Sequence, residues 1–132
     1  MKTILTSGKR KRSIARVTLR DGKGRVRINR FLLDAYEPMM YRLKIQEPLI
    51  LAGDVSSKVD IDVNVNGGGM SSQADASRLG IAKALVQYAK GEKLRETFLN
   101  YDRTLLVADV RRKEVCKPND SKARAKRQKS YR

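Results

Sequence analysis

The stretch that decides the fold is residues 58–91, KVDIDVNVNGGGMSSQADASRLGIAKALVQYAKG. In residues 58–65 apolar and polar side chains alternate, which is the pattern of a half-buried strand. Three glycines follow, and apolar residues then recur at helical spacing: Ala76, Leu79, Ala82, Leu85, Val86 and Ala89. The stretch therefore predicts a strand, a tight turn and a core helix over residues 73–90 that packs on the apolar face of the strand.

The boundaries of this helix can be predicted from its flanking residues. Ser72 is a candidate N-cap, with Asp75 as its capping-box partner, and Gly91 is well placed to end the helix. A second helix is expected over residues 92–100, where two apolar positions lie one turn apart. Residues 103–110, RTLLVADV, are expected to close the domain as a strand.

The chain before residue 31 reads as paired strands with a basic outer face. A short strand is expected over residues 3–6 and a longer one over residues 12–20, followed by the turn Asp21-Gly22-Lys23-Gly24 and a return strand that buries Val26 and Ile28. The outward residues of this hairpin are Arg12, Arg16, Arg20, Arg25 and Arg27. Such arginines repel one another unless something anionic covers them, although a solvated sheet face is the alternative.

Between these two regions, residues 31–36 are expected to form a helical turn, and Pro38 suits the first position of a helix through residue 46. Pro48 should interrupt that helix and leave residues 49–52 as a short apolar piece. The fold class is therefore α+β: a single compact domain with a mixed sheet and helices packed on one face.

Charge is concentrated at the two ends of the chain. The net charge of +16 divides into +10 over residues 1–30, −2 over residues 31–110 and +8 over residues 111–132. From Pro118 onward there is no Val, Ile, Leu or Phe, so the end of the chain cannot bury enough apolar surface to fold alone. We therefore expect a globular domain over residues 1–110 and an extended basic C-terminal tail over residues 111–132, which becomes ordered on nucleic acid.

The candidate RNA-binding residues are Lys9, Arg10, Lys11, Arg12, Arg16, Arg25, Arg27, Arg111, Arg112, Lys113, Lys122, Arg124, Lys126 and Arg127. Tyr131 either stacks on a base or contacts nothing. Charge alone does not separate RNA from DNA, and a DNA-compacting protein is one rival.

The glycine-rich turn, Gly67, Gly68 and Gly69, precedes a helix N-terminus, an arrangement that favours an anion. Three interpretations stay open: a nucleoside triphosphate site, a contact to an RNA phosphate, and a turn without a ligand. No Gly-Lys-Ser/Thr follows the glycines, which disfavours the first. Asp60 and Asp62 share a strand face, so they either bind metal for a phosphoryl-transfer enzyme or neutralise nearby arginines.

No cofactor, metal or small-molecule substrate is expected. The chain has no histidine, and its single cysteine, Cys116, has no internal disulfide partner. No apolar run approaches the ~18 residues of a membrane span and no signal peptide is recognisable, so we expect a soluble, cytoplasmic protein that does not bind membranes.

Three motifs resemble one family, the universal small-subunit ribosomal protein number nine. They are residues 67–85 (GGGMSSQADASRLGIAKAL), residues 7–17 (SGKRKRSIARV) and residues 128–132 (QKSYR). The resemblance covers essentially the full length, and the lack of an N-terminal extension favours the archaeal type.

The resemblance implies a non-enzymatic component of the small ribosomal subunit, with a fold like the second domain of the fifth small-subunit protein. It implies binding to ribosomal RNA among neighbouring proteins of the subunit head. It also implies a tail that reaches the peptidyl-site transfer RNA, where Lys129, Ser130 and Arg132 would contact the RNA backbone. Relatives usually have glycines where this tail has Asn119, Asp120 and Ser121, and the acid there should weaken local RNA contact.

Overall fold

The computed structural model describes residues 3–127 and 129–131. Its strands are β1 (Ile4–Arg10), β2 (Ser13–Asp21), β3 (Val26–Ile28), β4 (Phe31–Leu32) and β5 (Val59–Asn66). Its helices are α1 (Met39–Ala52), α2 (Asp54–Ser57), α3 (Met70–Ala89) and α4 (Glu92–Tyr101), with 3₁₀ turns at Leu33–Ala35 and Arg103–Leu105. Within the described residues no helix is both long and apolar enough to span a bilayer.

The five strands form one mixed sheet in the order β1-β2-β5-β3-β4. All neighbours are antiparallel except β3 and β5, which run parallel. The predicted hairpin between β2 and β3 is therefore wrong, because β5 lies between them. The turn residues bond to β5 instead: Gly22 N–H donates to Lys58 O at 2.9 Å and Gly24 N–H donates to Val59 O at 3.0 Å.

The helices cover one face of this sheet, as predicted, and leave the other face open. The alternation in β5 is confirmed, since Val59, Ile61, Val63 and Val65 are all buried. Helix α3 packs across β1 and β2 at unusually close range. A Cβ atom on Gly8 of β1 would lie 1.9 Å from the Ala76 carbonyl oxygen of α3, so only glycine permits this approach.

Helix α3 begins and ends at residues other than those predicted. Gly69 is its N-cap, and Ser72 lies in its first turn, where Ser72 Oγ accepts a hydrogen bond from Gly69 N–H at 3.1 Å. At the other end Lys90, with φ 52°, takes the left-handed conformation expected of Gly91. Gly91 is the N-cap of α4, because the two helices follow each other without a loop.

Helix α1 runs through Pro48, which was expected to interrupt it. Proline in a helix costs one backbone hydrogen bond. Pro48 is nevertheless buried, on the same side of the helix as Ile45 and Ala52, and the burial of that stripe against the core offsets the loss.

The predicted strand over residues 103–110 is absent. The segment forms a 3₁₀ turn that inserts the fully buried Leu105 into the core, and then continues without regular structure. A buried arginine supports this turn: Arg78 of α3 is 8 % exposed, and its guanidinium contacts Asp102 at 3.0 Å, Thr104 Oγ1 at 3.2 Å and Glu47 of α1. The buried Leu105 and the ion pairs of Arg78 thus fix the end of the domain.

Candidate nucleic-acid interface

Three segments that are distant in sequence enclose a basic cleft of about 980 Å³. They are the tip of the β1–β2 hairpin, the glycine-rich turn with the start of α3, and the root of the C-terminal segment. The lining residues are Arg10, Lys11, Arg12, Gly68, Gly69, Ser71, Ser72, Asp75, Arg111, Arg112, Lys113, Glu114, Val115 and Cys116. The structure therefore brings together six of the cations predicted from the sequence.

The glycine-rich turn locks the hairpin tip against α3. Gly67 and Gly68 have φ angles of 79° and 65°, in the left-handed region. A Cβ atom on Gly68 would lie 2.2 Å from Ser13 Oγ and 2.6 Å from Ser72 Oγ. Ser13 Oγ instead donates to Gly67 O at 2.8 Å, so the cleft has a rigid floor.

The start of α3 presents backbone donors to this cleft. The first intrahelical bond runs from Gln73 N–H to Gly69 O at 2.9 Å, so the N–H groups of the three preceding helical residues have no intrahelical carbonyl. These groups lie at the positive end of the dipole of a 20-residue helix. Together with the surrounding cations they favour an anion, which is one of the three readings that the sequence left open.

Arg10 forms ion pairs with two carboxylates of the protein itself. Its guanidinium lies 3.8 Å from Asp75 and 3.3 Å from Asp109, and its side chain is only 17 % exposed. Asp75, predicted as a capping-box partner, also binds Lys44 Nζ at 2.6 Å. Asp75 thus joins α1, α3 and the hairpin, and it does not cap the helix.

Asp109 orders the root of the C-terminal segment, a role that the sequence analysis missed. Arg111 donates to it from the backbone N–H at 2.9 Å and from Nη2 at 2.6 Å. The bonds from the Arg111 side chain and backbone, and secondarily the charge of Arg10, hold the pKa of Asp109 well below its usual range. The side-chain bond to Asp109 and the negative charge of Asp109 raise the pKa of Arg111. The Asp-x-Arg spacing was the one available sequence signal.

The predicted RNA-binding cations fall into two groups. Arg10, Arg25, Arg111, Arg124 and Arg127 each pair with a carboxylate. In the described part of the chain the others have no carboxylate within 4.0 Å: Lys9, Lys11, Arg12, Arg16, Arg27, Arg112, Lys113, Lys122 and Lys126.

The open face of the sheet carries part of the unpaired group. Arg16 of β2 lies opposite Asn64 of β5 in the sheet, and Arg27 of β3 lies opposite Asp62 of β5. All four residues line a shallow groove of about 850 Å³. Asp60 of the same strand is bound within the protein. The backbone N–H groups of Arg25 and Lys23, and then the Arg25 guanidinium at 2.8 Å, lower the pKa of Asp60 to about 2. Asp60 therefore neutralises an arginine, as one of the two sequence readings proposed.

The distal C-terminal segment folds back on itself through exposed contacts. Arg124 binds Glu114, and Arg127 lies 3.7 Å from Asp120. Asn119 has φ 53°, a conformation that glycine adopts freely. Lys129 and Ser130 are exposed, and Arg132 lies outside the described residues.

Fold and cleft together define a class: a small, strongly basic α+β protein with an open-faced sheet and a basic cleft at one end of that sheet. Comparison with known proteins identifies the group within it. The family model for ribosomal protein S9/S16 matches residues 8–132. The chain is 50 % identical to small ribosomal subunit protein uS9 of Methanococcus maripaludis strain C7 and 48 % identical to that of Methanococcus vannielii, each over the full length of both chains.

The chain therefore belongs to the ribosomal protein S9/S16 family. Members of this family are structural constituents of the small ribosomal subunit, not enzymes, and act in translation as part of a ribonucleoprotein. The resemblance noted from the three sequence motifs is confirmed.

Proposed function

We propose that the chain binds small-subunit ribosomal RNA through the basic cleft and the open sheet face. The observation that carries this proposal is that some of the cations are paired with carboxylates of the chain, whereas others have no carboxylate partner among the described residues. Lys11, Arg12, Arg112 and Lys113 converge on one cleft beside the free N–H groups of α3, and none of them has a carboxylate partner among the described residues. Phosphates of folded RNA supply the missing negative charge.

We further infer that residues 1–110 act as the body that is fixed on ribosomal RNA in the subunit head, while residues 111–132 act as a tail that reaches the peptidyl-site transfer RNA. Lys129, Ser130 and Arg132 would donate to the transfer-RNA backbone and hold the molecule without reading its bases. The exposure of Lys129 and Ser130 and the absence of Val, Ile, Leu and Phe from Pro118 onward support this role.

The tail role is tested by a chain that lacks residues 129–132. Reconstituted subunits with the truncated chain should assemble as wild type does, because the cleft is intact, but should retain peptidyl-site transfer RNA less well. A matched variant, Lys122→Gln with Lys126→Gln, removes two unpaired charges upstream and should leave transfer-RNA retention closer to wild type. Failure of the truncated chain to enter the subunit would contradict the division into body and tail.

A further inference from the structure

One face of the protein has a composition opposite to that of the cleft. Six of the fifteen large apolar side chains that are exposed in the described part of the chain lie within residues 31–50. Five of them lie on α1 or on the neighbouring strand β4 and are here called the apolar face: Leu32, Met39, Met40, Leu43 and Ile50, which are between 48 % and 73 % exposed. Soluble monomers rarely leave so much apolar surface uncovered in one place.

The geometry of α1 aligns three of these side chains. Met39, Leu43 and Ile50 are spaced by four and seven residues, so they lie on one stripe of the helix. At the end of the stripe, Ile50 and Leu32 line the same groove of about 790 Å³ between α1 and the β3–β4 edge of the sheet. Arg42 closes the other side, since its Nη1 donates to the Asp34 carbonyl at 2.5 Å.

The charges around the apolar face are mixed, unlike those of the basic cleft. Lys44 of α1 is bound by Asp75, and Glu47 by Arg78. Asp34 and Glu37 are exposed, and within the described residues no lysine or arginine nitrogen lies within 4.0 Å of their carboxylates. Lys23, which lines the groove, and Arg42 also have no carboxylate within 4.0 Å among the described residues. The face is therefore close to neutral in a chain of net charge +16, which makes it a poor site for an RNA backbone, and its acids remain available to a basic partner.

We propose that the apolar face is the docking surface for another protein of the small subunit, a basic protein that buries an apolar anchor against α1. Apolar side chains at the centre and complementary charges at the rim are the usual anatomy of such an interface. Asp34 and Glu37 would meet the partner's lysines or arginines. The proposal follows from family membership and does not depend on how the cleft binds RNA.

Methionine oxidation can test this proposal, because the four methionines include two on the apolar face and Met70 at the start of α3. Hydrogen peroxide is applied to the free chain, to the chain bound to protein-free ribosomal RNA, and to assembled subunits. Met39 and Met40 should oxidise at the free-chain rate on RNA alone and about tenfold more slowly in the subunit. Met70 should be protected already by RNA.

Three other outcomes overturn the proposal, and each does so in a recognisable way. Protection of Met39 and Met40 by RNA alone would make the face an RNA surface, and protection that rises with the concentration of the free chain would make it a self-association surface. Rapid oxidation in assembled subunits would show that nothing covers it. Loss of Met70 protection alone would count against the proposed RNA cleft and not against the apolar face.

A charge-inserting variant gives an independent readout. Leu43→Lys with Ile50→Lys changes exposed residues only, so the fold should persist. If a basic protein docks here, the variant should bind RNA at least as tightly as wild type yet enter subunits about tenfold less well in competition with it. Leu99→Lys, at an exposed apolar position on α4, is the matched control. Equal incorporation of wild type and the double variant would refute the proposal.

Discussion

Replacing Arg112 and Lys113 together by glutamine should reduce the salt dependence of RNA binding by a predictable amount. Each phosphate that a cation neutralises contributes about 0.7–0.9 to the slope of log K against log salt concentration. Both residues line the cleft, and neither has a carboxylate partner among the described residues, so both charges are available to phosphate. The slope should therefore become shallower by about 1.4–1.8.

The matched control changes the same number of charges. Arg25→Gln with Arg111→Gln removes two arginines that Asp60 and Asp109 already neutralise. Fluorescence anisotropy of a labelled ribosomal RNA fragment, measured between about 50 and 200 mM salt, gives both slopes. The control should change its slope by less than half as much. Equal changes in the two variants would refute the argument that internal carboxylates decide which cations meet RNA.

Three further predictions concern stability and are checked by denaturant unfolding of the free chain. Gly68→Ala should destabilise it by about 2 kcal/mol, because the new Cβ would meet two serine hydroxyls at φ 65°, whereas Gly69→Ala has open space and should cost less than about 1 kcal/mol. Arg78→Met should cost about 2–3 kcal/mol by leaving Glu47 and Asp102 without their cation, and the exposed Arg95→Met should be nearly neutral; equal costs would contradict the buried cluster. The folded-state pKa of Asp60, about 2, lies below its ordinary 3.8, so its contribution is fully present above pH 4 and is lost as the pH falls towards 2; the stability gap between wild type and Asp60→Asn should close over that range.

The parts of the fold that local patterns determine could be predicted from the sequence. The alternation in β5 and the helical spacing in α3 each bury one face, and both elements lie where they were expected. The strand order could not be predicted in this way. The turn at residues 21–24 has the chemistry of a hairpin, but β5, which follows β2 by almost forty residues, supplies a longer apolar edge and pairs with both β2 and β3.

The candidate site shows a similar division. The sequence identified the glycine-rich turn and the basic ends, and the structure joins them in one cleft. The sequence did not reveal that Asp75 and Asp109, separated by 34 positions, both contact Arg10. Pairing between distant charges depends on tertiary packing, so five of the fourteen predicted cations were assigned to RNA although each meets a carboxylate of the chain.

The two sets of ion pairs along the C-terminal segment differ in how readily RNA could replace them. Arg10 is only 17 % exposed and is shared by Asp75 and Asp109, so displacing it would leave acids of α3 and of the segment's root without their cation. The Arg124–Glu114 and Arg127–Asp120 pairs join strongly exposed arginines, and such pairs contribute at most about 1 kcal/mol each. A polyanion can exchange the distal pairs at little cost, whereas the root stays attached to the hairpin. The fold thus fixes where the segment leaves the body and leaves its far end free to adapt to RNA.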